Sequence, residues 1–272
     1  MGAGAGINDP NPVGFGIEVA AGNITGMSAI NKFGRNPDCD TAASSTAVVV
    51  ARDVWDGSIA GAVNWVPPTA ASLHAIVSTS VEDDPDKGGA TPGTGAFTIR
   101  VFGLDSAYAL QQEDVELNGA AAVNTAKTYT MIHRMYALTW GTGGANVGAI
   151  TATAASGSTV TAKITALMNQ TLMAIYQIPA GKSGYMSSWN GEIHKAGGAT
   201  VLADLFLMSR ELGGGWRVRD TGVVSSSAKP TFERHYFPPK TFGEKSYVKV
   251  AANPSADAQD IAGGFDLVLV DG

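Results

Sequence analysis

Short runs of alternating apolar and polar residues, each closed by a glycine- or proline-rich turn, recur along most of the chain. That rhythm is the signature of antiparallel β-structure and leaves little room for long helices. Residues 97–102 (FTIRVF) alternate as a half-buried strand should, and 114–117, 132–140 and 159–164 continue the pattern. Gly88-Gly89, Pro92-Gly93-Thr94-Gly95 and Gly141-Thr142-Gly143-Gly144 punctuate these runs. Asn118-Gly119 is a strong hairpin signal, because a type I′ turn needs positive φ at both central positions. Residues 116–119 and the following Val123-Asn124-Thr125 are therefore expected to form a hairpin. Further strands are expected over 172–178, 182–193, 200–208, 216–219, 232–237, 246–251 and 265–270. Residues 199–212 (ATVLADLFLMSREL) contain helix formers as well as an apolar run. Strand is the reading adopted, since Gly197-Gly198 and Gly213-Gly214-Gly215 on either side also suit a hairpin.

Regularly spaced short strands and turns indicate a sandwich or jelly roll. The expected fold is all-β and jelly-roll-like, in two β-sandwich modules, residues 65–169 and 170–272, meeting near Asn169-Gln170. Residues 1–64 hold at most two strands, a loop over 32–43 and Gly/Ala-rich stretches. They are expected to form an N-terminal arm or cover over the first module. A weak echo links Val66-Pro67-Pro68 and Gly95-Ala96-Phe97 with Ile178-Pro179-Ala180 and Gly198-Ala199-Thr200, but it spans too few residues to establish duplication.

Only 15% of residues are charged, against roughly 25% in an average soluble domain. A chain so sparing of charge gains by covering its surface with copies of itself or with a neighbour. The net charge of −6 argues against nucleic acid as the main partner, which would call for a basic stripe. The densest basic stretch, Trp216-Arg217-Val218-Arg219, is followed at once by Asp220 and reads as the wet face of a strand. Residues 1–9 show no secretion signal, and the apolar run 46–51 is far too short to span a membrane. Synthesis in the cytoplasm with no membrane insertion is the expectation.

The chemistry-bearing residues form no site in the sequence. The single cysteine, Cys39, lies between Asp38 and Asp40, whose charges raise its pKa and make it a poor nucleophile. Ala180-Gly181-Lys182-Ser183-Gly184 looks like the end of a phosphate loop, but Tyr176 occupies the position of the first glycine and a strand-like segment follows. Glu82-Asp83-Asp84-Pro85-Asp86 could attract calcium but lacks the downstream bidentate glutamate, so it reads as a solvated loop. Asp38, Asp40, Asp53 and Asp56 read the same way. His74, His133, His194 and His235 lack the close spacing of a zinc site. Trp55, Trp65, Trp140, Trp189 and Trp216 are scattered, as core or interface residues would be. No Gly-x-Ser-x-Gly elbow is present. No catalytic, cofactor-binding or metal residues are assigned, no cofactor is expected, and the chain is read as a non-enzyme.

Several stretches nevertheless carry a resemblance. They are Asn31-Lys32-Phe33-Gly34-Arg35-Asn36-Pro37-Asp38-Cys39-Asp40-Thr41, Asp53-Val54-Trp55-Asp56-Gly57 and Ile76-Val77-Ser78-Thr79-Ser80. Residues 93–105 (GTGAFTIRVFGLD), Val115-Glu116-Leu117-Asn118-Gly119, Asn146-Val147-Gly148-Ala149-Ile150 and residues 174–182 (AIYQIPAGK) follow in order. Together they resemble a family of poorly characterised virion-associated proteins of tailed bacteriophages, frequent among aquatic phages. The resemblance covers roughly residues 30–190, with Gly264-Phe265-Asp266 near the end. The chain departs from the common pattern in a longer insertion around residues 83–91 and in Ser58-Ile59-Ala60.

The resemblance implies a virion structural protein in head decoration (cement), neck or tail, with copies of itself and other virion proteins, such as the major capsid protein, as partners. The family offers no catalytic residues to transfer. Two alternatives remain at this point. A fibre or receptor-binding module would show a groove lined by Trp and acidic residues, and a glycan-cleaving enzyme a carboxylate pair about 5–10 Å apart.

Overall fold

Alternation in sequence becomes alternation in burial. In the strand His74–Ser78 every second residue is buried and the others half-buried, and Ala96–Leu104 follows the same period over most of its length. The computed structural model describes residues 12–42, 51–57, 64–89, 91–194 and 200–272. Residues 1–9, most of the run 46–51, Ser58-Ile59-Ala60 and Gly197-Gly198 lie outside the described residues.

A helix α1 (Pro12–Ala20) precedes β1 (Met27–Cys39) and a short β2 (Arg52–Asp53). Next come β3 (His74–Ser78), β4 (Ala96–Leu104), β5 (Leu110–Glu116), β6 (Val123–Asn124), β7 (Met131–Trp140), β8 (Ile150–Ala154) and β9 (Val160–Ile164). The chain ends with β10 (Ile175–Gln177), β11 (Lys182–His194), β12 (Leu202–Arg210), β13 (Arg217–Ser225), β14 (Thr231–Phe242), β15 (Tyr247–Pro254) and β16 (Gln259–Asp271). The described residues thus form an all-β architecture with one helix. The ambiguous segment 199–212 contains a strand, β12.

Among the described residues all strand pairs are antiparallel, and they make four sheets. Sheets β6-β3-β8-β9 and β5-β4-β7 share one core, with Ile76, Ile150 and Ile164 from the first meeting Ile99, Val101 and Ile132 from the second. Sheets β1-β16-β11-β14 and β10-β15-β12-β13 share another core, in which Trp189, Phe265 and Leu267 meet Leu205, Leu207 and Val250; β2 pairs with β15. Leaving β2 aside, the strands of this second unit pair in nested order. β1 pairs with the last strand β16, β10 with β15, β11 with β14, and β12 with β13. The first unit, β3 to β9, is inserted between β2 and β10. The strand orders of the two units differ, so the weak sequence echo has no counterpart in topology.

Three expectations need correction. Residues 27–39 are neither arm nor cover for the first unit: they form an edge strand of the second, registered on β16 from Met27↔Val270 to Asn36↔Ile261. The expected loop 32–43 is therefore largely strand. Its Gly, Asn and Pro residues have low strand propensity, but β16 supplies the ladder, and Asn31–Asp266 (2.6 Å) and Arg35–Asp260 (2.6 and 2.7 Å) pair across it. Pro37 falls where the register shifts between Asn36 and Cys39, a bulge that tolerates its missing N–H. The Asn118-Gly119 hairpin also shrinks to one antiparallel bridge, Asn118↔Ala121, closed by Ala121 N–H to Asn118 O. Gly119 turns with φ +54°, but the strand before it pairs with β4 and the strand after it with β3. The turn carries the chain from one sheet to the other, held by Gly119 N–H to Asp83 O and Ser78 N–H to Gly119 O.

The two units meet around a dry ion pair. Lys249 of β15 donates to Asp53 of β2, with side-chain exposures of 6% and 0%. The other Asp53 oxygen accepts the Trp65 N–H at 3.0 Å, and the Trp65 indole donates to Thr161 O in the first unit at 2.9 Å. Trp65, Met131, Met173 and Tyr247 belong to the apolar cluster that surrounds the junction. Removing one partner of such a pair strands a buried charge. Asp53→Ala is therefore expected to destabilise the protein by about 3–5 kcal/mol, measured by urea unfolding, and a loss below about 1 kcal/mol would show that the pair is not buried as described.

Candidate functional site

The residues singled out by sequence are dispersed rather than gathered. Cys39 is wholly buried, and burial, helped by Asp40 and Asp38 and opposed by Arg52, pushes its thiol up to about 12. The phosphate-loop look-alike is a turn at Gly181 (φ +70°), and Lys182 opens β11 and pairs with Asp271. In the acidic loop Asp83 is buried and fully employed. Its carboxylate accepts from Ser78 Oγ (2.5 Å) and from the N–H groups of Ala96, Val147 and Gly148, each at 2.8 Å. It ties the loop to β4 and β8 rather than offering oxygens to a cation. The loop is thus not wholly solvated as expected, because backbone donors converge on this one carboxylate.

The second acidic group is scattered as well. Asp53 faces Lys249, Asp56 accepts from Thr165 Oγ1 at 2.9 Å, and Asp40 accepts the Ala258 N–H at 3.1 Å. Among the described residues no group of three or more His, Cys, Asp or Glu side chains is placed to hold a metal ion. No described helix is long and apolar enough to cross a membrane. Trp55, Trp65 and Trp189 are buried, Trp216 is packed beside Lys249, and Trp140 is exposed at the end of β7. A groove of about 490 Å³ is lined by Asp84, Asp86, Glu113, Asp114 and Glu116, with no aromatic side chain in its wall.

Two places stand out as able to meet another molecule, and sequence reasoning flagged neither. The first is on β14, an edge strand of its sheet among the described residues. Opposite the single residue between Met186 and Ser188 of β11, β14 carries the four residues Tyr236-Phe237-Pro238-Pro239 as a bulge. Tyr236 turns inward, its hydroxyl donating to Asp220, which also pairs with Arg234. Phe237 points outward and is 102% exposed, while Pro238 and Pro239 beside it are exposed as well. The aromatic-Pro-Pro run was the signal available in the sequence.

The second place is a cleft of about 340 Å³ between β1 and β7, where the two units approach each other. Lys32 is buried there and donates to His133 O, and Arg134 donates to Asn31 O at 3.0 Å. The His133 and Tyr176 rings pack edge to face at 5.0 Å between centroids. Burial, reinforced by Arg134 and opposed by Asp56, pushes Lys32 down to about 7. Burial and the charges of Lys32 and Arg134 hold His133 well below its usual range.

No protein-family model matches the chain, and no curated protein matches it. Among solved structures, a chain from "Structure of infectious bursal disease virus Gt strain" aligns with 8% identity over 90% of this chain and 71% of that one, at a TM-score of 0.18. A likeness that slight carries no argument about fold or function.

His74 provides a check on the buried polar groups. It is wholly buried, its Nδ1 lies 3.1 Å from Ser72 O, and burial pushes its imidazole down to about 4. The folded state therefore favours the neutral ring, whereas the unfolded chain takes up a proton near pH 6.5. This contribution is complete above pH 6.5 and is lost as pH falls towards 4. Between pH 7 and 4 the protein is expected to lose about 3 kcal/mol more stability than His74→Gln, read from urea midpoints at each pH. A difference independent of pH would refute the assignment.

Proposed function

We propose that the chain is a structural protein of a tailed-phage virion, acting as head decoration (cement) or neck component and stabilising the particle through contacts with copies of itself and neighbouring virion proteins. In this reading the second unit is a jelly roll. Rolling up a long antiparallel ribbon pairs first strand with last, second with second-last, and so on inward, and the nested pairing of β1 with β16 through β12 with β13 supports the assignment.

The observation that carries the functional reading is Phe237. A ring without cover in its own chain gains about 1.5–3 kcal/mol when a neighbour buries it, and aromatic side chains often anchor subunit contacts. Pro238 and Pro239 lack N–H groups, so this edge cannot continue as a simple ladder and the contact must be made by side chains. The braced base of the bulge, with Tyr236 and Arg234 on Asp220, holds the ring in one place before it meets a partner. The low charged fraction, 15%, fits a surface that spends its working life covered.

Sedimentation equilibrium from micromolar to near-millimolar protein, with co-sedimentation on tailed-phage heads, tests the proposal. Self-association or head binding is expected for the native chain, with Phe237→Ser weakening it by roughly tenfold or more. A native chain that stays monomeric throughout and leaves heads unbound would overturn the reading.

A further inference from the structure

The cleft between β1 and β7 has the make-up of a binding site rather than of a packing defect. Its volume of about 340 Å³ falls in the range of small-molecule pockets, roughly 300–1,000 Å³. Lys32, His133, Arg134 and Tyr176 line it, and none of its lining residues is a carboxylate. Each of the four keeps capacity for a further hydrogen bond. Lys32 directs one N–H to His133 O and Arg134 one to Asn31 O, leaving further donors on both. The Tyr176 hydroxyl and His133 Nε2 are buried and have no hydrogen-bond partner among the described residues. Buried polar atoms of this kind are rare in native folds and call for an explanation.

We propose that this cleft binds a small anionic ligand, presenting a carboxylate or phosphate group to Lys32, Arg134 and the Tyr176 hydroxyl. A buried Lys32 beside a half-exposed Arg134 places two positive charges on one cleft, and an anion between them favours the charged form of both. Burial is the main reason Lys32 titrates low, and the Arg134 charge adds to it while Asp56 offsets part of it. Phe102 and Tyr136, with ring centroids 5.4 Å apart, form an adjoining aromatic wall that suits a ligand with a ring or other apolar body. The anionic group has two natural sources, free phosphate and an acidic sugar. The inference does not depend on assembly, since the cleft lies within one chain.

Titration calorimetry on the whole protein separates the sources. One arm uses inorganic phosphate and the other glucuronate, each compared with chloride at matched ionic strength. Saturable binding of one ligand per chain is expected in at least one arm, and the arm that responds names the source. Tyr176→Phe removes only the unpaired hydroxyl and keeps the ring against His133, while Arg134→Gln removes one cation at a partly exposed position. Both variants are expected to keep the native melting curve and to weaken binding about tenfold or more. Absence of binding in both arms, or a Tyr176→Phe protein that binds as tightly as the native one, would overturn the proposal. Because the readout is ligand binding by one chain, it is independent of the sedimentation experiment and can succeed or fail separately.

Discussion

Two opposite charges shut away from water sit where the inserted unit leaves its host. Lys249 and Asp53 are almost inaccessible, and neither charge is tolerable there without the other. Around them backbone and side-chain groups supply further partners. Asp53 N–H donates to Asn64 Oδ1 at 3.0 Å, Asn64 Nδ2 donates to Ala51 O at 3.0 Å, and Trp65 N–H completes the carboxylate. Trp216 lies over the Lys249 ammonium at 4.2 Å, and Arg210 sits over both Trp216 and Tyr247. The pair fixes where β2 docks on β15, and through Trp65 it fixes where the inserted unit begins.

The insertion returns to the same spot. Asp56 N–H reaches Leu172 O, Ala174 N–H reaches Val54 O, and Met173 N–H reaches Phe33 O, so the outgoing and incoming segments run side by side. A unit whose two ends lie together can be added to a loop without prising the host sheets apart. The close approach also explains Gly34. A Cβ there would come within 2.3 Å of both Ala174 N and Val54 O, so no other residue fits without moving backbone. The same convergence leaves the cleft beside β1 and β7, where side chains from both units meet without filling the space.

Local pattern accounts for much of what could be anticipated. The strands β4, β7, β11, β15 and β16 follow runs with clear alternation or apolar content, bounded by turn residues, because each buries at least one face against a partner sheet. β1 was illegible for a physical reason: its Asn, Gly and Pro residues carry no strand preference, and its existence rests on the edge that β16 offers from the far end of the chain. Asp83 read as one acid among several, since nothing in a linear string shows that donors from Ala96, Val147 and Gly148 will converge on it. The cleft was equally hidden. Lys32, Arg134 and Tyr176 lie in three separate stretches, and a lone lysine in a polar segment gives no sign that it will be buried.

The amino-acid sequence by itself determined the β character of the protein, the positions of most strands and many of its turns, because side-chain alternation and backbone freedom act over a few residues. Tertiary structure alone decided which strands pair, that β1 closes on β16, that one unit is inserted within the other, and which polar groups lose their water. Those outcomes depend on contacts between residues far apart in the chain, whose free energy exists only once the sheets have come together.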